Sequence, residues 1–505
     1  MGERVHRSVM NVKVGMLFYF LSLFMAFFSR KIFLDCLGDE FIGLTGTLGN
    51  ILSFLNVAEL GIGTSITYFL YKPLQSKDIA KTNEVMSMLA YLYRCIGIII
   101  GVGGFVVSLF FPFIFDNPPF GLFLVYFTFY SFLASSIFGY IFNFKQLLVG
   151  ADQKQYIVNS LFQSIGLLQS LTQIILAYYY RNLYLWVIVG FIFTVIGCIL
   201  FNIRINKSYP WLNIDIKLGK KLLKDYPEVL KKTRQIFVQK IKDFILYRSD
   251  QILVFAFVSL KMVAYYDNYM ILVNKFNMLV NILSDGMNAG IGNLIAEGNK
   301  KNTMKVFWEL TAIRFTIVGI VIYAFLMFMQ PFIVIWLGKE YLLDDVIIYL
   351  ISLNIFIMLS RGVVEMYISA CGLFSDVWAA WTELILNIGI TLMLAPFYGI
   401  VGILLGKIIS VFFIALFWKP YFLFTKGLKE DVSMYWKSMS RYYIIFAIHL
   451  FAILFLKQII FNGDGQTIPM FAWGIVAYIV IMITYILTMY VFTNGMKYFK
   501  VRILK

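Results

Sequence analysis

Apolar residues run along this chain in long, nearly uninterrupted blocks, separated by short polar or glycine-rich breaks. Blocks of about 18 or more such residues are long enough to cross the hydrocarbon core of a bilayer as a helix. The pattern predicts about 14 spans, near 12–34, 41–70, 88–115, 120–149, 156–180, 183–203, 236–260, 262–296, 306–335, 346–373, 377–396, 398–424, 441–461 and 468–493. The second and eighth exceed one crossing and contain glycines, where a break or bend is expected. The first block is too long for a cleavable leader and lacks a small-residue cleavage site, so it is expected to stay as the first span.

The widest interruption, 204–234, is lysine-rich and carries Ile214, Leu218, Leu222 and Tyr226 four residues apart, followed by Val229. That stripe predicts a basic amphipathic helix lying on an anionic membrane surface. It divides the chain into an N-terminal lobe of six spans (1–203), a cytoplasmic linker (204–235), a C-terminal lobe of six spans (236–424), and two further spans with a basic tail (425–505). The expected fold is an all-α polytopic membrane protein: two pseudo-symmetric six-helix lobes around a central cavity, plus two C-terminal helices. A short echo supports duplication. Glu59-Leu60-Gly61-Ile62-Gly63 aligns without a gap on Asn288-Ala289-Gly290-Ile291-Gly292.

Composition agrees with this reading: 61% of the 505 residues are hydrophobic, 14% are charged, and mean hydropathy is +0.81. The net charge of +16 would point to nucleic acid in a soluble protein; here cytoplasmic loops account for it. Lys72, Lys77, Lys81, Lys145, Lys154, Lys300, Lys301, Lys305, Lys426, Lys429, Lys437 and the tail lysines all fall on one side. The other side holds little beyond Arg181, Lys261 and Lys339. The alternation places both termini in the cytoplasm. Cys36, Cys95, Cys198 and Cys371 have neither metal-ligand nor disulfide spacing, and His6 and His449 lie near no other ligand.

A charge at mid-bilayer costs about 2.5–3.5 kcal/mol on insertion scales, so such residues tend to face a cavity or one another. Span one carries Arg30 and Lys31. Span two carries Asn50, Ser53, Asn56 and Glu59, which sweep around the helix. Span seven carries Lys240, Lys242, Asp243, Arg248 and Asp250. Span ten carries Arg361 and Glu365, an i, i+4 pair. Arg94, Arg314, Glu383 and Lys407 are single intramembrane charges, and Arg94 and Arg314 occupy comparable places early in spans three and nine. Several of these could instead snorkel to an interface. Arg30, Lys31, Arg94, Arg248, Arg314, Arg361 and Lys407 outnumber the acids, so the cavity is expected to be basic and its cargo anionic. Glu59, Asp250 and Glu365 are the candidates for coupling or gating.

The ordered set Leu37-Gly38-Asp39-Glu40-Phe41-Ile42-Gly43-Leu44, Glu59-Leu60-Gly61-Ile62-Gly63 and Leu70-Tyr71-Lys72-Pro73-Leu74 resembles the polysaccharide transporter (Wzx-like) flippases. So do Ala151-Asp152-Gln153-Lys154, Arg248-Ser249-Asp250-Gln251, Tyr266-Asp267-Asn268-Tyr269 and Tyr398-Gly399-Ile400-Val401-Gly402. That family belongs to the multidrug/oligosaccharidyl-lipid/polysaccharide exporter superfamily. Asp267 and the Lys240/Lys242 cluster have no place in its pattern. The resemblance implies a flippase that moves undecaprenyl-diphosphate-linked oligosaccharide from the inner to the outer leaflet of a bacterial cytoplasmic membrane. It also implies membrane lipids and polysaccharide assembly proteins as partners. No cofactor is expected beyond a coupling proton or sodium ion. An ion-coupled exporter of organic cations is the first alternative, although it would need buried acids in excess. A membrane polymerase or glycosyltransferase is the second; no paired carboxylates, nucleophile constellation or phosphate-binding glycine loop supports one.

Overall fold

The computed structural model describes the chain except Met1 and residues 60–61, 116–117, 153, 226–249, 297, 374–375, 462–467 and 504–505. Among the described residues there is no β-strand. The helices divide into two compact units, Met1–Phe255 with Ser259–Ala264, and Ala256–Val258 with Tyr265–Lys505.

In the first unit the main helices are α1 (Gly2–Leu37), α2 (Asp39–Leu55), α3 (Ile62–Ser76), α4 (Ile79–Ser108), α5 (Leu122–Asn143), α6 (Gln155–Tyr180), α7 (Leu183–Ser208) and the short α8 (Ile216–Asp225). The next two, α9 (Asp250–Phe257) and α10 (Leu260–Ala296), run from one unit into the other. The second unit continues with α11 (Lys300–Trp336), α12 (Asp345–Ser360), α13 (Gly362–Ala370), α14 (Val377–Tyr398), α15 (Ile400–Phe413), α16 (Val432–Ile460), α17 (Ile468–Phe492) and α18 (Asn494–Ile503).

Among the described residues, eleven helices are long and apolar enough to span a membrane, and many present a face of exposed Ile, Leu and Phe, as a lipid-facing surface would. The chain is a multi-pass membrane protein. The other three expected spans differ for local reasons. The block at 41–70 is split into α2 and α3, of 17 and 15 residues, by a 3₁₀ turn at Asn56–Glu59. Most of 236–260 lies outside the described residues. The helix α10 is continuous over 37 residues, but Asp267, Asn268, Asn274, Lys275 and Asn277 make it too polar for the eleven. Of the first Gly-Ile-Gly copy, Ile62 and Gly63 open α3, whereas Gly290-Ile291-Gly292 lies within α10.

Each unit has a well-buried helix against which several others pack. In the first, α4 packs against α3, α5 and α8, while α1 packs on α6. In the second, α11 packs against α12, α16, α17 and α18. Rings from Phe307 to Tyr323 on α11 mesh with Tyr435, Tyr442, Phe446 and Tyr485. Buried tyrosines there give their hydroxyls to carbonyls, Tyr323 to Phe446 and Tyr485 to Phe315, both at 2.8 Å. In hydrocarbon an unpaired hydroxyl would cost far more than a paired one.

The two buried helices begin alike. Asp78 caps α4 by accepting from the Lys81 N–H, and Asn299 caps α11 by accepting from the Asn302 N–H. One residue later, the hydroxyls of Thr82 and Thr303 return to the carbonyls of those caps. This shared register pairs Arg314 with Tyr93, one position from Arg94. The two helices thus share one capping pattern.

The Gly399 motif forms the turn between α14 and α15. Gly399 has φ 53°, a conformation suited to glycine. A Cβ at Gly402 would overlap the Leu394 carbonyl group, so this hairpin needs glycine for close packing. The stretch after α15 winds through π-helical turns on either side of Lys419–Phe422. Pro420 lacks an N–H and forces the ladder to re-register.

Candidate functional site

Two polar constellations sit on the buried helices, one in each unit. In the first, the 3₁₀ turn after α2 turns Glu59 toward α4 and α5. Its Oε1 accepts from the Tyr93 hydroxyl at 2.5 Å, and its Oε2 accepts from the Tyr140 hydroxyl at 3.3 Å. Beside it, Ser136 donates to the Asn56 side-chain carbonyl at 3.0 Å. Apolar helices thus hold a half-buried carboxylate between two phenols. Such a group can carry a proton or bind a cation, and either change would be felt through two hydroxyls on two helices.

The second constellation forms where α12 ends and α13 begins. Arg361 occupies the junction, is 9% exposed, and pairs with Glu365 at 3.2 Å. Arg314 on α11 donates from Nε to the Leu359 carbonyl at 2.8 Å and lies within electrostatic reach of Glu365. Its guanidinium occupies the space that a Cβ at Gly362 would need. A side chain at Gly362 would have to displace that guanidinium. Two guanidinium groups and one carboxylate meet there.

The remaining expected residues are dispersed. Arg30 is half-buried and donates to the Ala264 carbonyl at 2.8 Å. Lys31 and Arg94 are exposed. Asp250 is buried at the start of α9. Next to it, the Gln251 side-chain carbonyl accepts from Asn50 on α2. Lys407 is buried on α15, and Glu383 is buried on α14, in line with Asn387 and Thr391 at four-residue spacing. Arg248, with Lys240, Lys242 and Asp243, lies outside the described residues. The structure thus brings together Arg314, Arg361 and Glu365.

Sequence reasoning centred on charge passes over Tyr93, Tyr140 and Ser136. A buried tyrosine hydroxyl in an apolar helix needs a partner, and that requirement was the available signal. Other motif residues have structural partners. Tyr269 donates to Gln330 at 2.7 Å and accepts from the Leu343 N–H at 3.1 Å, while Gln330 donates to the Leu343 carbonyl at 2.6 Å, a closed buried ring. Asp152 pairs with Lys154 at 2.7 Å and accepts from Tyr209 at 2.8 Å, which anchors the segment leading to α8.

No family model matches this sequence, and no curated protein does. Solved structures do resemble it. The lipid II flippase MurJ in an inward closed conformation matches at a TM-score of 0.67 and 16% identity, over 96% of this chain and 99% of that one. An inward-facing multidrug resistance MATE family transporter of the MOP superfamily matches at 0.61 and 13% identity, over 80% and 95%. An outward-facing structure of a MATE family transporter of that superfamily matches at 0.52 and 12%, over 84% and 96%. This chain therefore has the fold shared by MOP-superfamily MATE transporters and MurJ.

Proposed function

We propose that the protein is a flippase for a lipid-linked, diphosphate-bearing oligosaccharide. In this reading it carries undecaprenyl-diphosphate-linked repeat units from the inner to the outer leaflet of a bacterial cytoplasmic membrane. The product serves surface polysaccharide synthesis: O-antigen, capsule or exopolysaccharide. The observation that carries the proposal is the extent of the likeness to MurJ, 96% of this chain and 99% of that one, against 80% of this chain for the first MATE structure.

The chemistry of the second constellation agrees with that cargo. Guanidinium groups bind phosphate oxygens in paired, charge-assisted hydrogen bonds, and Arg314 and Arg361 bring two of them together. Arg30, Lys31, Arg94, Arg248 and Lys407 are the further cations proposed to meet the head group in an alternating-access cycle. Glu59, Asp250 and Glu365 are proposed to gate the cycle or to couple it to protons or sodium. Glu59 is a coupling group rather than a substrate contact, because a carboxylate repels a diphosphate. Partnership with polysaccharide assembly proteins and cytoplasmic placement of both termini belong to the same proposal.

Glu59 also supports a second reading, an ion-coupled exporter of organic cations. Proteoliposomes containing a fluorescent undecaprenyl-diphosphate oligosaccharide separate the two. The flippase reading expects protein-dependent loss of label from one leaflet. It is abandoned if flipping matches protein-free vesicles while a cationic dye is exported.

A further inference from the structure

A second cationic site stands apart from these residues, at the end of the second unit where α11 begins. There a cavity of about 570 Å³ opens between α11, α16 and the α17–α18 turn. Lys301 and Lys305 enter it from α11 and Arg441 from α16; no carboxylate lines it among the described residues. Its floor is aromatic. Trp308 and Tyr442 stack nearly parallel, 6.3 Å between centroids, and Lys305 lies 5.6 Å from the Tyr498 ring centre. Tyr442 is 2% exposed. Its hydroxyl sits against Thr493 and the Gly495 backbone.

The corresponding corner of the first unit gives a comparison. The helix α8 crosses α4 with Gly219 against the Ser87 carbonyl, and α18 crosses α11 with Gly495 against the Trp308 carbonyl. Ser87 and Trp308 are equivalent in the register set by the two caps. The crossing helices also match, Gly219-Lys220-Lys221-Leu222-Leu223-Lys224 on Gly495-Met496-Lys497-Tyr498-Phe499-Lys500. In the first unit the chain itself occupies this corner. Asn83 accepts from the Asn213 N–H at 3.1 Å, and Ser87 accepts from the Asp215 N–H at 3.1 Å. In the second unit Met304 and Trp308 stand at those positions and face the cavity instead.

We infer that this cavity binds a phosphate-bearing anion, held by Lys301, Lys305 and Arg441 against the Trp308–Tyr442 floor. A phospholipid head group and free phosphate share that chemistry. Met434 and Phe492 line the cavity yet remain exposed, which offers an acyl chain a path along α16 and α17. The inference does not depend on the cargo proposed above.

The test uses the full-length protein in neutral detergent. Native mass spectrometry measures retention of phosphatidylglycerol against phosphatidylcholine, and thermal unfolding is followed with each lipid or with inorganic phosphate. Wild type is expected to retain phosphatidylglycerol selectively. Lys305→Gln with Arg441→Gln weakens retention roughly tenfold or more. Lys220→Gln with Lys221→Gln, the same charge loss on α8, leaves it unchanged, and Arg441→Lys largely preserves it. Stabilisation by inorganic phosphate alone, lost in the Lys305/Arg441 variant, assigns the site to free phosphate. Should the double variant elute as aggregate, Arg441→Gln alone provides the comparison, since that side chain is exposed. The inference is overturned if wild type prefers no phosphate-bearing anion, if the α8 variant loses as much, or if Arg441→Lys loses as much as the double variant.

Discussion

The pair Arg361–Glu365 joins side chains in unequal surroundings: the arginine side chain is 9% exposed and the glutamate 45%. Removing one partner of a pair costs most when the group left behind is cut off from water. Glu365→Gln is therefore expected to destabilise the protein more than Arg361→Gln, by about 1–3 kcal/mol for the glutamate change. Thermal unfolding in detergent ranks them; equal losses would show that water reaches Arg361 freely. Glu59 poses a different question, because each of its carboxylate oxygens accepts from a phenol. A glutamine can accept from one phenol but must turn its amide toward the other. Glu59→Gln is expected to remove the dependence of transport on an imposed ion gradient while the protein still elutes as a folded species. Unchanged gradient dependence would remove Glu59 from the coupling role.

At the scale of elements, the helices were legible and their joints were not. Long apolar blocks fixed where most spans lie, because burying a backbone in lipid leaves helix as the open choice. The 3₁₀ turn at Asn56–Glu59 was not legible, since two glycines mark a possible bend without choosing its form. The i, i+4 pairing of Arg361 with Glu365 was legible, but the turn at Arg361 between α12 and α13 was not. Within the basic stripe, Ile216–Asp225 forms α8, while Tyr226 and Val229 lie outside the described residues; the seat of α8 on α4 was not legible because it depends on one glycine, Gly219. A side chain there meets the Ser87 carbonyl, and at Gly495 it meets the Trp308 carbonyl. Gly219→Ala and Gly495→Ala are expected to lift their helices at a cost of about 1–3 kcal/mol each. Faster amide exchange confined to the mutated helix checks this; unchanged protection refutes the seat. The cap of α16 adds a pH test. The hydroxyl and N–H of Ser433 hold the Asp431 carboxyl below its ordinary value of 3.8. A lowered folded value stabilises above the unfolded one and is lost as pH falls through the folded one. Acid below 3.8 should therefore loosen this cap, and Asp431→Asn, a comparable cap, should remove that part of the acid response without harm at neutral pH.

For the whole molecule, the sequence already pointed to a surplus of intramembrane bases, and Arg314, Arg361 and Lys407 are buried or half-buried among apolar helices. Their assembly was not legible, because Arg314 joins the Arg361 pair only through tertiary packing. The surplus makes the proposed cycle sensitive to voltage. Each unit charge that crosses the full field gains or loses about 2.3 kcal/mol per 100 mV. An inside-negative potential would drive an anionic head group outward and draw an emptied, positively charged site back. Outward flipping is therefore expected to accelerate when a potassium-diffusion potential of that sign is imposed on proteoliposomes. One net charge moved through the whole field would shift the equilibrium by roughly fiftyfold per 100 mV, and a partial path by less. Arg314→Gln and Arg361→Gln each remove a charge from the returning site, so their flipping rates should rise less steeply with potential than wild type. A wild-type rate that ignores the potential, with flipping otherwise intact, would leave ion coupling through the carboxylates as the remaining source of direction.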